Sequence, residues 1–97
     1  MIFDVAVVQF EPLRRDVKAN IGRIQSLLDG IKADLVVLPE LSNCGYLYEN
    51  SAALEPYAEP ASGNGPFLSA LIALSQKTQG VIVAGYAEKE KGQLNNS

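Results

Sequence analysis

Glu40 is the side chain of this sequence whose position is most suited to chemistry. It follows Pro39, which itself ends an unbroken apolar run from Leu35 to Leu38. Such a run is typical of a parallel strand buried on both faces, and proline, which lacks a backbone N–H, ends the ladder. Because ligands bind at the carboxyl ends of strands in open α/β sheets, Glu40 is either a general base there or a simple surface or helix-start charge.

Two further side chains that could do chemistry, Cys44 and Tyr46, follow Glu40 in a stretch rich in loop-forming residues. A cysteine beside a base can be a nucleophile, but an unpaired cysteine is most often a small buried apolar residue. We favour the buried interpretation for Cys44. Tyr46 is either a packed aromatic with its hydroxyl at the surface or a pocket wall near Glu40, where it would contact substrate.

The residue types that are missing narrow the chemistry further. The sequence contains no histidine, which excludes a Ser-His-Asp triad, a Cys-His pair and a histidine zinc site within these residues. No metal-ligand spacing is present, and the short Gly63-Asn64-Gly65 run lacks the rest of either nucleotide-binding fingerprint. Carboxylates, lysine, tyrosine and the thiol are the remaining reactive groups.

Composition and charge place the sequence among ordinary globular proteins. Its 97 residues suffice for one small domain, 47% of them are hydrophobic, and the net charge is −3. We therefore expect no nucleic-acid partner, which would need a basic patch, and no membrane association, since no segment is long and apolar enough. One cysteine allows no intrachain disulfide, so a reduced, cytoplasmic location is the default expectation.

The first half of the chain predicts a strand–helix–strand unit. The apolar run Val5–Val8 suits a buried strand, and the apolar positions that recur at helical spacing predict a helix over Val17–Lys32 with Asp16 as its N-cap. Leu35–Leu38 is the second strand. Strands joined by a helical crossover are parallel, so the segments that end at Phe10 and Glu40 reach the same edge of the sheet.

The second half predicts one more helix and strand before a hairpin. After an irregular stretch over 41–63 with a short helix at Ser51–Leu54, a helix starts near Pro66, capped by Asn64 or Gly65, and Gly80 terminates it. The buried face is expected to comprise Phe67, Leu68, Leu71, Ile72 and Leu74. A strand over Val81–Tyr86, a polar turn over Glu88–Gly92 and a return strand over Gln93–Ser97 follow. Three apolar strands need cover on both faces, and two helices are too few, so we expect these residues to be the front of a longer fold.

The sequence resembles the nitrilase superfamily of carbon–nitrogen hydrolases along its whole length. The residues that carry the resemblance are Val5–Gln9, Asn20, Ala33–Glu40, the Gly45-Tyr46 pair, Val81–Gly85, Glu88, Leu94, Asn96 and Ser97. The strand-Pro-Glu motif with the following Gly-Tyr is the most specific of them. The resemblance implies an α/β fold that forms the N-terminal part of a four-layer αββα sandwich, with residues 1–97 as one partial domain.

The resemblance also implies a mechanism and a substrate class. The family hydrolyses small amide, carbamoyl or nitrile substrates through a cysteine thioester, without a cofactor, and its catalytic glutamate matches Glu40. Its catalytic lysine and cysteine fall beyond Ser97, so these 97 residues alone are expected to be catalytically incomplete, and Cys44 does not match the nucleophile. Family members are often oligomers, which implies a homo-oligomer or association with the rest of the fold.

Two other functions remain open from the sequence. The chain could be a non-catalytic small α/β binding or interaction module. It could also be an unrelated Rossmann-like ligand binder, which the absent glycine fingerprint disfavours.

Overall fold

A parallel three-stranded sheet organises the structure, a computed structural model that describes residues 2–46, 48, 50–90 and 93–97. The elements follow the order β1 (Val5–Val7), α1 (Val17–Leu27), β2 (Leu35–Val37), α2 (Ser51–Leu54), a 3-10 turn (Glu55–Tyr57), α3 (Pro66–Thr78), β3 (Val81–Val83), β4 (Ala87–Glu90) and β5 (Gln93–Asn96). The sheet order is β1-β2-β3, and both pairings are parallel. The predicted strand–helix–strand unit is confirmed, and the strand that precedes Glu40 is the central one.

Helix α1 begins where the sequence predicts and ends earlier. The carboxylate of Asp16 accepts the backbone N–H of Ala19 at 3.0 Å, which confirms the predicted N-cap. The helix stops at Leu27 rather than Lys32. Gly30 has a left-handed φ of 74°, so the backbone turns away from the helix axis there, and glycine adopts this conformation without strain.

The side-chain cap of helix α3 comes from Glu59, a residue in the stretch that the sequence predicts to be irregular. Gly65 occupies the N-cap position, which confirms one of the two predicted caps, but it has no side chain that could accept a hydrogen bond. The carboxylate of Glu59 instead accepts the N–H groups of Phe67 at 2.6 Å and Leu68 at 3.1 Å. Glu59 is only 4% exposed. A negative charge at this helix end satisfies free N–H groups and favours the helix dipole.

Gly80 is required after α3 for a reason other than the predicted one. The helix ends through Gln79, which takes the left-handed conformation with φ of 60°. Gly80 lies against the strand β2 entry, where an added Cβ would meet the carbonyl oxygen of Ala33 at 1.9 Å and backbone atoms of Asp34 at 2.8 Å. The position therefore demands the absence of a side chain, because backbone atoms cannot move aside cheaply.

The two helices cover one face of the sheet. The helices contribute Ile24 of α1, Leu28 just after it, and Phe67, Leu71 and Leu74 of α3 to one buried cluster. Val36 of β2 and Leu38, the residue after this strand, complete it on the sheet side. The central residues of the two predicted apolar helix faces are buried, as the sequence predicts. Two outlying residues are not, since Ile31 is 40% exposed and Ile72 is 54% exposed.

The opposite face of the sheet is open, which corrects the prediction of strands buried on both faces. Val5, Val7, Val81 and Val83 are each more than half exposed. The side chains of a strand alternate between faces, and the helices cover only the face of Ala6, Val36 and Ile82. The all-apolar strand sequences fit a sheet whose second face also needs cover.

The hairpin forms from β4 and β5, which pair antiparallel with Lys89 opposite Leu94. The predicted return strand is confirmed. The predicted polar turn over Glu88–Gly92 is wrong in its first half, because Glu88, Lys89 and Glu90 are strand residues, while Lys91 and Gly92 lie outside the described residues. Within the described residues, no helix has the length and apolarity to cross a bilayer.

The open sheet face makes a prediction for the polypeptide of residues 1–97 by itself. We expect it to self-associate, because exposed apolar patches of this kind drive association. Replacing Val7 and Val83 by lysine should shift the species toward monomer in sedimentation velocity. Ile72→Lys, which charges an exposed position on the helical side, is the matched control and should leave the association unchanged. A monodisperse wild-type monomer would contradict the prediction.

A second prediction separates the close packing at Gly80 from the entropic cost of ordering any glycine. Gly80→Ala should lower the free energy of unfolding by about 2 kcal/mol or more, because its Cβ meets backbone. Gly22→Ala, inside α1 with nothing within 4 Å of the added Cβ, should instead stabilise by about 0.5–1 kcal/mol. Urea unfolding at equal protein concentration measures both, and equal effects of the same sign would refute the packing role.

Candidate active site

Glu40 stands directly beyond the carboxyl end of β2, at the edge of the sheet where all three parallel strands finish. The N–H of Leu38 donates to the carbonyl of Val83 at 2.8 Å, so the pairing of β2 with β3 extends close to Pro39. Glu40 is exposed. A depression of about 270 Å³ lies between the ends of β1 and β2, and Phe10, Leu38 and Pro39 are among the residues that line it. The predicted meeting of the Phe10 and Glu40 segments at one edge is confirmed.

The segment that leaves β3 holds the backbone of Glu40 in place. A Cβ added to Gly85 would lie 2.7 Å from the Cα of Glu40, so the two backbones are in direct contact. The N–H of Ser42 donates to the carbonyl of Gly85 at 2.9 Å. The hydroxyl of Ser42 lies 2.7 Å from the Pro39 carbonyl oxygen and 2.9 Å from that of Gly85. These contacts hold the backbone around Glu40 against the segment that follows β3.

Residues 41–45 form a tight turn that separates Glu40 from Tyr46. The carbonyl of Leu41 accepts the N–H groups of Cys44 at 3.2 Å and Gly45 at 2.9 Å. Leu41 takes a left-handed φ of 45°, and Gly45 has φ of 81°. A Cβ on Gly45 would meet the Pro12 carbonyl oxygen at 3.0 Å, so the turn also packs against the loop after β1.

Two buried amide side chains support this turn, and the sequence interpretation gave neither a role in the site. Asn20 is 1% exposed and Asn43 is fully buried. Asn20 accepts the N–H of Leu13 at 2.6 Å and donates to the Leu13 carbonyl at 2.8 Å and the Asn43 carbonyl at 3.0 Å. The available signal was a polar residue, Asn20, on the same side of α1 as the apolar stripe.

Cys44 has the packing of the apolar residue that the sequence favours. It is fully buried in a small cluster with Ala58 and Ala87. Burial raises the pKa of the Cys44 thiol, only partly offset by its hydrogen bond with Tyr48. A buried thiol with a raised pKa is a poor nucleophile. Within the described residues, no group of three or more His, Cys, Asp or Glu side chains could hold a metal ion.

Tyr46 and Glu40 interact electrostatically, although residues 41–45 separate them in the sequence. Tyr46 is 36% exposed. Its pKa is raised, first by partial burial and then by the negative charge of Glu40, which disfavours the tyrosinate. The negative charge of Glu40 therefore acts on the Tyr46 hydroxyl. The contact of Tyr46 with substrate stays a prediction.

Tyr48 is a further residue at this edge that sequence reasoning passed over. Its hydroxyl donates to the Cys44 carbonyl and accepts the N–H of Arg15 at 3.2 Å. The guanidinium carbons of Arg14 and Arg15 lie 5.5 and 5.9 Å from its ring centre, within cation–π range. Burial, followed by the hydrogen bond with Cys44, raises the pKa of Tyr48 to about 12. The uncharged Tyr48 side chain therefore connects the loop after β1 to the turn after β2.

Similarity to known proteins identifies the family of this chain. The sequence profile described as carbon-nitrogen hydrolase matches residues 4–97. The chain belongs to the carbon–nitrogen hydrolase family. A hydrolase in the pqqF 5′ region of Pseudomonas protegens is 33% identical over 96 residues, which cover 96% of this chain and 32% of that protein. The chain thus spans about a third of the length of this curated relative.

Solved structures of carbon–nitrogen hydrolases share the fold. N-terminal amidase superposes with a TM-score of 0.87 at 27% identity over 97% of this chain and 24% of its own, and it has also been solved with a Gln-Val peptide. XC1258 of Xanthomonas campestris, a CN-hydrolase superfamily protein, gives a TM-score of 0.83 at 21% identity and shares 97% of this chain and 34% of its own. The predicted nitrilase-like α/β fold and superfamily membership are confirmed.

The coupling between Glu40 and Tyr46 predicts a measurable shift in the pKa of Tyr46. Glu40→Gln should lower the pKa of Tyr46 toward the usual tyrosine value, because the charge that opposes tyrosinate formation is removed. Burial remains, so the pKa should stay above the usual value. Tyrosinate absorbance against pH, minus the same titration of Tyr46→Phe, isolates this residue. Glu55→Gln is the control, and an unchanged titration in Glu40→Gln would show that the two side chains are uncoupled.

Proposed function

We propose that this chain supplies the general base of a cysteine-dependent carbon–nitrogen hydrolase, and that Glu40 is this base. The observation that carries the proposal is the place of Glu40, at the carboxyl end of the central strand in a chain that belongs to this family. Ligands bind at such strand ends in open α/β sheets. An exposed carboxylate on a backbone fixed by Gly85 is suited to proton transfer.

The proposed reaction proceeds through an acyl-enzyme. Glu40 removes the proton from a cysteine thiol while the sulfur attacks the carbonyl carbon of the substrate. A lysine ammonium stabilises the oxyanion, the C–N bond breaks, and the proton leaves with the amine or ammonia. Water then cleaves the thioester, which releases the acid and restores the thiol. The cysteine and lysine are proposed to come from parts of the whole protein outside these residues, since Cys44 is buried.

The substrate class that we propose is a small amide, with carbamoyl compounds and nitriles as the related alternatives. Amides are supported by the structural likeness to N-terminal amidase at 27% identity. Tyr46 is proposed to form part of the pocket wall, because it follows the turn that Glu40 precedes and interacts with the charge of Glu40. No metal or organic cofactor is needed for this chemistry.

Substitution of the proposed base gives the direct test. In the intact protein, Glu40→Gln should reduce amide turnover by roughly 10²–10⁴-fold, because a positioned general base contributes that much. The substitution keeps the size of the side chain and its exposed setting, so the unfolding midpoint should hardly move. Hydrolysis of a panel of simple amides, followed by release of ammonia, is the measurement.

Glu55→Gln is the matched control for that experiment. Glu55 is an exposed carboxylate whose partner is Lys89 at 3.1 Å, and both side chains are about half exposed. Exposed ion pairs of this kind contribute little to stability, so the variant should keep wild-type turnover. The proposal fails if Glu40→Gln retains the activity of the Glu55→Gln control.

A further inference from the structure

We infer that Asn43 is a positioning residue for the proposed hydrolase, whose buried amide fixes the Glu40 carboxylate and Tyr46 relative to each other. The inference rests on the proposed function of Glu40. Asn43 lies in the middle of the turn that joins these two residues and is fully buried. It touches no reacting atom in this proposal and acts through the backbone of the turn.

The Asn43 amide connects three separate parts of the fold. Its nitrogen donates to the carbonyl of Tyr57, at the end of the 3-10 turn, at 3.1 Å. Its side-chain oxygen accepts the N–H of Ala87, the first residue of β4, at 3.1 Å. Its own carbonyl accepts from Asn20 of α1 at 3.0 Å. One side chain and one carbonyl thus tie the turn after β2 to α1, to the 3-10 turn and to the hairpin.

These bonds act on Glu40 because the turn behaves as one unit. The carbonyl of Leu41 accepts two N–H groups across the turn, so a shift at Asn43 moves both of its ends. Glu40 precedes the turn, and its Cα already lies against Gly85. A change at Asn43 would therefore rotate the Glu40 side chain about a fixed strand end and displace Tyr46 at the other end.

An apolar residue in place of Asn43 cannot keep this arrangement. The N–H of Ala87 and the carbonyl of Tyr57 would lose their Asn43 partner, and a buried backbone group without a partner destabilises its surroundings until it finds another. The turn would relax to satisfy them. A misplacement of about 1 Å at a catalytic group can lower the rate about 100-fold.

The test compares Asn43→Leu and Asn43→Asp in the intact protein. Asn43→Leu removes both side-chain hydrogen bonds, and Asn43→Asp keeps an acceptor for Ala87 but loses the donor to Tyr57, so one variant remains informative if the other does not fold. We expect kcat per titrated active site to fall at least about 10-fold, with KM changed less than about threefold. The rate of alkylation of the catalytic cysteine by iodoacetamide should fall in parallel, because it depends on the same base.

Thr78→Val is the control for a loss of stability alone. Thr78 is 1% exposed, its hydroxyl lies 3.4 Å from the Ser75 carbonyl oxygen, and it lies at the C-terminal end of α3. This variant also removes a buried polar group, but it leaves the turn after β2 untouched. Its kcat per active site and its alkylation rate should stay within about twofold of wild type. If both Asn43 variants match Thr78→Val in these two rates, the positioning role is wrong.

Glu40→Gln in the same assays separates failure of this inference from failure of the proposed function. If Glu40→Gln abolishes turnover while the Asn43 variants behave as Thr78→Val does, Glu40 is the base and Asn43 only contributes stability. If Glu40→Gln keeps turnover, the proposed function fails, and the positioning inference falls with it.

Discussion

Backbone groups that leave a parallel sheet must find hydrogen-bond partners, and the structure at the end of β2 depends on this requirement. Pro39 ends the strand ladder, and residues 42–45 of the following turn are buried, so their backbone groups need partners within the protein. The Gly85 carbonyl accepts from Ser42, and the Leu41 carbonyl accepts from within the turn. Asn20 donates to the Asn43 carbonyl, and Arg15 and Tyr48 donate to the Cys44 carbonyl. The exposed Glu40 carboxylate therefore stands on a backbone with little freedom to move.

The same requirement explains the buried charge at Glu59. Among the described residues, no cation lies within hydrogen-bond distance of its carboxylate. The carboxylate instead accepts hydrogen bonds from the free N–H groups at the start of α3. Its backbone pairs with Ala87 and Lys89, so the α3 cap is continuous with the hairpin. Helix α3, the hairpin and the turn after β2 meet around Ala87, whose N–H also donates to the Asn43 side chain. One small buried residue thus joins the helical layer to the site.

Local patterns predicted the parts of this structure that local forces determine. The cap at Asp16 and the strand before Pro39 follow from residue types within a few positions of each other. The partners of Asn43 and Glu59 do not, because Ala87 lies 44 residues from Asn43 and the α3 N–H groups lie across a loop from Glu59. Periodicity also could not show which face of an all-apolar strand lacks cover, since both faces of such a strand look alike in sequence. The general-base role of Glu40 came from resemblance, and position alone left it open.

The sheet order has a consequence for the time at which the edge can form. The central strand β2 pairs with β1 on one side and with β3 on the other, and β3 comes after the whole of α3 in the chain. During synthesis, β1 and β2 can meet first, but Glu40 has no fixed backbone until Gly85 has left the ribosome and packed against it. Non-local parallel pairing is slow, because the chain loses the entropy of loop closure before the stabilising contacts between the strands form. The proposed base is therefore among the last features of this segment to reach its final geometry, since β3 and Gly85 follow α3 in the chain.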